Sequence, residues 1–251
     1  MLQPVIRKTL SDSAKEKLRQ DIMSRDFGSS GKLPPEEQMA KDLNVSRVTI
    51  RSALKDLEQE GLVFRIHGKG TFMNPEARRI RANLGELSEF SSVIQKNGYA
   101  PRMRLLRVCT EPAAEITAKW LHLAPGAELI RVEKLYYADE APAILSVAWL
   151  PRQIFQEAPT ERDWAARNNF GLLYQQAGKI VTHDIVELSS ASLQEMEAEL
   201  SQSSGMTCQS VLCLTACAFD QENEPAIFGK AFYDTNRIRF QLFRSQEGDG
   251  A

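Results

Sequence analysis

The segment Asn44-Val45-Ser46-Arg47-Val48-Thr49-Ile50-Arg51-Ser52-Ala53-Leu54 constrains this chain more than any other, because a second patterned segment follows it almost at once. Ile50, Ala53, Leu54 and Leu57 fall at i, i+3, i+4 and i+7, the spacing of one apolar stripe on a helix. Ser46 is placed to cap that helix, since its hydroxyl can accept from an orphan amide of the first turn. Arg47, Thr49, Arg51, Ser52 and Lys55 lie off the stripe. Two arginines in the first turns oppose the positive end of the helix dipole, so helix stability does not account for them. A docked polyanion does; a solvated basic face is the alternative. The DNA major groove has the width of one helix with its side chains.

The flanks complete the pattern. Leu33-Pro34-Pro35-Glu36-Glu37 predicts the start of a short helix, because proline fits the first turn and acids suit its positive end. Met39, Ala40 and Leu43 give that helix an apolar face, and Asn44 tolerates the left-handed conformation that ends it. Two helices separated by so tight a turn form a helix-turn-helix. Upstream, Ser13-Ala14-Lys15-Glu16 resembles a capping box, and Ala14, Leu18 and Ile22 carry a further helix to about Phe27. Downstream, Leu62 to Ile66 and Thr71 to Met73 predict two short strands, with His67-Gly68-Lys69-Gly70 as their turn. His67 and Lys69 at that tip can reach phosphate or the minor groove.

Composition points to two parts. A length of 251 residues favours two modest domains. The net charge of −2 hides an asymmetry: residues 1–79 hold 15 Lys and Arg against 11 Asp and Glu, the remainder 16 against 22. A basic front and an acidic back fit a nucleic-acid module joined to a module with another task. The basic excess is small, so affinity needs two copies or a focused patch. Met1 to Leu10 lacks the apolar core of a signal peptide, and no apolar run has membrane-spanning length; a cytoplasmic protein is expected. Cys109, Cys208, Cys213 and Cys217 show no CxxC pairing and read as small hydrophobes in a reducing compartment, with no metal expected.

Beyond a polar, basic junction at about Asn74 to Asn83, strands mix with helices. Leu84, Leu87, Phe90 and Ile94 suggest a helix ended by Asn97-Gly98, followed by a strand over Arg102 to Cys109 and a helix over Ala113 to Leu121. Two strands, Glu128 to Tyr137 and Ala143 to Trp149, come next. A helix near Asn168 to Ala177, a strand Ile180 to Leu188 and a helix over about Ser192 to Leu200 continue the chain. Strands Cys208 to Phe219, Ala226 to Tyr233 and Ile238 to Phe243 close it, with a frayed tail expected after Arg244. Hairpin-linked strands with segregated helices predict an α+β domain on an antiparallel sheet.

The Leu-Pro-x-Glu helix, the Val-Ser-Arg-x-Thr-x-Arg helix and the Gly-Lys-Gly-Thr-Phe hairpin together resemble the winged helix-turn-helix of GntR-family regulators, over about residues 7–74. The resemblance implies DNA contacts from Glu36, Ser46, Arg47, Thr49, Arg51, His67, Gly68 and Lys69; Glu37 stands where some relatives carry a DNA-contacting arginine. Leu135-Tyr136-Tyr137-Ala138-Asp139-Glu140-Ala141-Pro142, Trp149-Leu150-Pro151 and Phe219-Asp220-Gln221-Glu222-Asn223-Glu224-Pro225 resemble the UTRA effector-binding domain of the HutC branch, over about residues 80–246. The division expected is 1–75 for the winged helix-turn-helix, 76–83 for a linker and 84–246 for the UTRA domain, which is chorismate lyase-like in fold. The family implies a homodimer on a palindromic double-stranded operator, usually a repressor and alternatively an activator. Its effector is a small, sugar-like or phosphorylated metabolite.

Effector contacts are expected from Glu89, Phe90, Lys134, Tyr136, Ser146, His183 and Tyr233, with Lys134 where the family usually has an arginine and His183 on a neighbouring strand facing the same cavity. Glu89, Ser146 and Ile227 stand where relatives carry serine, glutamate and glutamate. An enzyme on the chorismate lyase-like fold is the contrasting reading. No nucleophile elbow, P-loop, dinucleotide fingerprint or HExxH occurs, and His67, His122 and His183 are scattered, so no catalytic residue and no cofactor is expected. A non-specific architectural DNA protein is the third reading, against which the acidic second half speaks.

Overall fold

A computed structural model of the protein describes residues 10–24, 27, 30–75, 82–200 and 203–242. They fall into two compact units, one reaching to Glu86 and taking in Phe240 to Leu242, the other running Leu87–Arg239. The expected boundary at residue 84 thus lies inside the first unit, because Leu84 donates to the Gln241 carbonyl and Gln241 to that of Ala82. The junction at residues 76–81 and the tail after Leu242 lie outside the described residues.

The first unit holds α1 (Leu10–Ser24), α2 (Glu36–Leu43), α3 (Arg47–Gln59) and an antiparallel pair, β1 (Val63–Ile66) and β2 (Gly70–Met73). The stripe on α3 becomes its core: Ile50, Ala53, Leu54 and Leu57 are wholly buried against Ala14, Leu18 and Ile22 of α1 and Met39 and Ala40 of α2. Each such leucine-sized side chain contributes about 1.5–3 kcal/mol. Asn44 ends α2 in the left-handed conformation at φ 53°, and Ser46 caps α3 by accepting from the Thr49 amide at 3.0 Å. Ser13 is the fourth residue of α1 and caps nothing, because the helix has already begun at Leu10. Asn74 closes the unit from the far end of β2. Its amide donates to the Leu62 carbonyl at 3.0 Å and its side chain to the Gly61 carbonyl at 2.8 Å.

The second unit is one six-stranded antiparallel sheet in the order β3-β4-β5-β8-β7-β6. Its strands are β3 (Pro101–Pro112), β4 (Glu128–Ala138), β5 (Ala141–Pro151), β6 (His183–Ser192), β7 (Ser210–Phe219) and β8 (Pro225–Tyr233). Helices α4 (Phe90–Lys96), α5 (Glu115–Trp120), α6 (Glu161–Ala166), α7 (Asn169–Ala177) and α8 (Leu193–Ala198) cover it. Strand alternation sends Ile130, Val132, Lys134 and Tyr136 to one face and Leu129, Arg131, Glu133 and Leu135 to the other. The first face packs Trp164 of α6 and Leu172 and Leu173 of α7; the second packs Met196 of α8 and Ala118 of α5.

Other expectations fail as well: Leu84 and Leu87 precede α4, which begins only at Phe90. Ile238 to Phe240 is not a strand, and Gln241 makes only an isolated bridge to Asn83. α6 was not expected, although Thr160 and Asp163 form a capping box at its start.

Candidate nucleic-acid interface and effector site

α3 carries Arg47, Arg51, Ser52 and Lys55 exposed on the side away from its buried stripe. Ser46 and Thr49 are tied to each other: their hydroxyl oxygens lie 2.8 Å apart while Ser46 also holds the Thr49 amide. Glu36, at the start of α2, accepts from Arg51 through Nη2 at 3.1 Å and Nε at 3.3 Å. The carboxylate therefore holds the guanidinium in place across the helix-turn-helix. Arg65 of β1 reaches the Arg51 carbonyl at 3.4 Å and pairs with Glu58, which fixes the hairpin against α3. Beyond the stacked Phe64 and Phe72, the turn exposes His67, Gly68 and Lys69. Gly68 sits at φ 70° and Gly70 at φ 118°, conformations that the tight turn demands and other residues resist.

In the second unit, six of the seven expected effector residues come together on one sheet face. Lys134 pairs with Ser146, and Tyr136 with Ile144, which pairs with Tyr233 in turn. Phe90, the first residue of α4, packs over both tyrosines, with ring centroids 4.9 Å from Tyr136 and 6.1 Å from Tyr233. Glu89, at the N-cap of α4, accepts from the Asn168 side chain, and burial raises its carboxyl above the usual range. Its charge and, above all, burial push the Tyr136 phenol up. Ser146, Ala148, Gly229 and Ala231 give this face a floor of small side chains. A Cβ on Gly229 would meet the Val147 carbonyl oxygen at 3.0 Å, so the close approach of β5 and β8 needs the glycine.

Lys134 is wholly buried. Its ammonium donates to the Arg167 carbonyl at 2.6 Å and to Asn169 Oδ1 at 2.8 Å, and lies 5.3 Å from the centroid of the Trp164 ring. Burial lowers its pKa from 10.5 to about 7. The indole Nε1 of Trp164, also wholly buried, has no hydrogen-bond partner among the described residues. This corner combines a buried amino group and an unused donor beside aromatic surface.

His183 corrects the sequence reading. β6 is the far edge of the sheet, three strands beyond β5, and His183 is exposed and stacked on Phe219 with ring centroids 5.0 Å apart. The register puts its side chain on the opposite face from Lys134. Its neighbour Asp184 has the correct face instead, and burial raises its carboxyl. Trp164, Asn168 and Asn169 contact Lys134 or Glu89 and were not among the residues expected from the sequence. Only the asparagine pair at the expected start of α7 carried a signal, that of an N-cap.

Among the described residues no helix is long and apolar enough to cross a membrane, and no three His, Cys, Asp or Glu side chains are grouped to hold a metal ion. Cys208, Cys213 and Cys217 are buried free thiols. Residues 10–73 match the family described as bacterial regulatory proteins, gntR family, and residues 96–239 match the UTRA domain, more than half of the chain. The Bacillus subtilis HTH-type transcriptional regulator YurK is 25% identical over 91% of this chain and 92% of its own length. A protein named "probable fructoselysine utilization operon transcriptional repressor" from Escherichia coli is 23% identical over 92% of each chain. Among solved structures, Bacillus subtilis YydK, described as a possible transcriptional regulator, aligns over 95% of this chain and all of its own. The TM-score is 0.70 at 17% identity. PhnF from Mycobacterium smegmatis aligns over 93% of this chain and all of its own, with a TM-score of 0.56 at 21% identity. The winged head, the helix-covered antiparallel sheet and these matches together place the chain in the GntR family, as a transcriptional regulator of the HutC type with a UTRA domain and not an enzyme.

Proposed function

We infer that the protein is a cytoplasmic homodimer that represses transcription from a palindromic operator and releases it when a small metabolite occupies the UTRA domain. We assign operator binding to residues 1–75 and effector binding to 84–246, joined by 76–83; of the latter part, Leu84 and Gln241 belong structurally to the first unit. In each half-site Arg47 or Arg51 reads guanine edges, while Ser46, Thr49 and Lys69 hold phosphates and His67 and Gly68 bring the wing to the minor groove. Glu36 serves by steadying Arg51, since a carboxylate turned toward the phosphates would be repelled. Two copies supply what a modestly basic head lacks.

The observation that carries the effector reading is the wholly buried Lys134 ammonium 5.3 Å from the ring of Trp164, whose indole nitrogen has no hydrogen-bond partner among the described residues, on the sheet face that also carries Tyr136 and Tyr233. An unpaired indole N–H in such a place costs about 1–3 kcal/mol, which a ligand oxygen would recover. Glu89 on the same face suits a hydroxyl or an amine and disfavours a phosphate beside it. A sugar-like ligand with an anionic group for Lys134 and an amine for Glu89, as in a sugar–amino acid conjugate, meets both. To change operator occupancy a hundredfold, the two states must differ in effector affinity by about 2.7 kcal/mol.

A thermal-shift screen of phosphorylated sugars, sugar–amino acid conjugates and organic acids tests this. A stabilising compound is expected to release the operator from the wild type. Lys134→Ala is expected to lose that response while keeping its grip on DNA. Unaltered induction in Lys134→Ala removes this residue from the pocket.

A further inference from the structure

The outward face of α3 is centred on a residue that no charge argument selects. Successive side chains turn by about 100° around the axis, so Val48, Arg51, Ser52 and Lys55 form a stripe diametrically opposite Ile50, Ala53, Leu54 and Leu57. Arg47 and Thr49 lie on the two flanks of that stripe. Val48 is 77% exposed, the most exposed large apolar side chain among the described residues. Nothing within the head accounts for it. Valine is a weaker helix former than alanine or leucine, and in this place it adds no packing.

Its stiffness is informative. A β-branched side chain on a helix keeps one strongly preferred rotamer, so both methyl groups of Val48 project in a fixed direction and lose little entropy on contact. The first turn of a recognition helix is the part whose side chains reach base edges. In the major groove, the base feature that an apolar group can read is the C5-methyl group of thymine. Arg51, one turn on along the same stripe, is placed to read a guanine nearby. We propose that Val48 is a specificity-determining residue, contacting the C5-methyl group of one thymine in each operator half-site. The contact rests on DNA recognition by α3 and adds an apolar reading to the polar one.

The test uses the whole protein. Duplexes are selected from a random library, and each thymine of the selected half-site is then replaced singly by deoxyuridine, which lacks only the methyl group. One thymine is expected whose replacement weakens binding roughly fourfold per half-site, the value of a methyl group taken out of water. Val48→Ala, whose folding is checked by thermal unfolding, is expected to bind the thymine duplex more weakly and to be indifferent to that exchange. If no thymine shows a penalty that disappears in Val48→Ala, the assignment is overturned even though the selected duplex is bound. If no duplex is selected at all, recognition by α3 fails and the contact falls with it.

Discussion

The two units treat charge in opposite ways. In the first, the buried cluster contains only apolar side chains, and the ion pairs are exposed or half-buried: Lys15 with Glu60, Arg51 with Glu36, Arg65 with Glu58. In the second, Glu133 and Lys134 are both wholly buried, adjacent in sequence and on opposite faces of β4. Taking an ammonium out of water is costly, and an apolar side chain of similar volume often does as well or better for stability. The difference fits the function proposed for each unit: a polyanion arriving from outside would be met by exposed cations, whereas a small molecule would be enclosed together with its counter-charge.

The contrast can be broken most directly in the first core. Leu54→Ala is expected to destabilise the head by about 2–5 kcal/mol, and chemical denaturation followed by a probe in each unit should show the loss there alone. Arg51→Ala is expected to weaken operator binding by about 1–3 kcal/mol while leaving effector affinity intact; unchanged binding in a gel-shift titration would remove Arg51 from the interface.

In the second unit the sharper probe is pH. The folded Lys134 loses its proton above about 7 and an unfolded lysine only near 10.5. Over that window the unfolded chain binds more protons, so this residue's contribution to stability rises with pH. Affinity for an anionic effector has the opposite sign. Once the bound anion holds the ammonium in its charged form, affinity is expected to fall by up to about tenfold per unit above pH 7 and to level off below it. Calorimetric titration of Lys134→Arg should give a flat profile over that range. The smallest effect is expected from Ser46→Ala, about 1 kcal/mol of head stability through the lost cap, read as a lowered thermal midpoint.

What was legible in the sequence follows the range of the interactions. The helix-turn-helix was open to reading because its determinants are local: the Ile50–Leu57 stripe, the Ser46 cap and the left-handed Asn44 each act within a few residues. In the second unit the strands themselves could be found, and so could the sharing of a face by Lys134 and Tyr136, because alternation along one strand is also local. Strand order is not. Placing His183 beside the pocket required knowing that β8 and β7 lie between β5 and β6, and a shift of a single residue exchanges its face for that of Asp184. α6 escaped notice because Trp164 and the capping box stand in a run too short to show a period. The strand expected at Ile238 to Phe243 had a suitable composition, but among its described residues only Gln241 finds a bridge partner, Asn83.

Asn74 gives the head a rigid handle. Its amide and its side chain both grip the turn just after α3, so the chain leaves the wing at a point clamped to the base of the reading helix. On the function proposed, release of the operator would then displace helix and wing as one piece, with their own contacts kept.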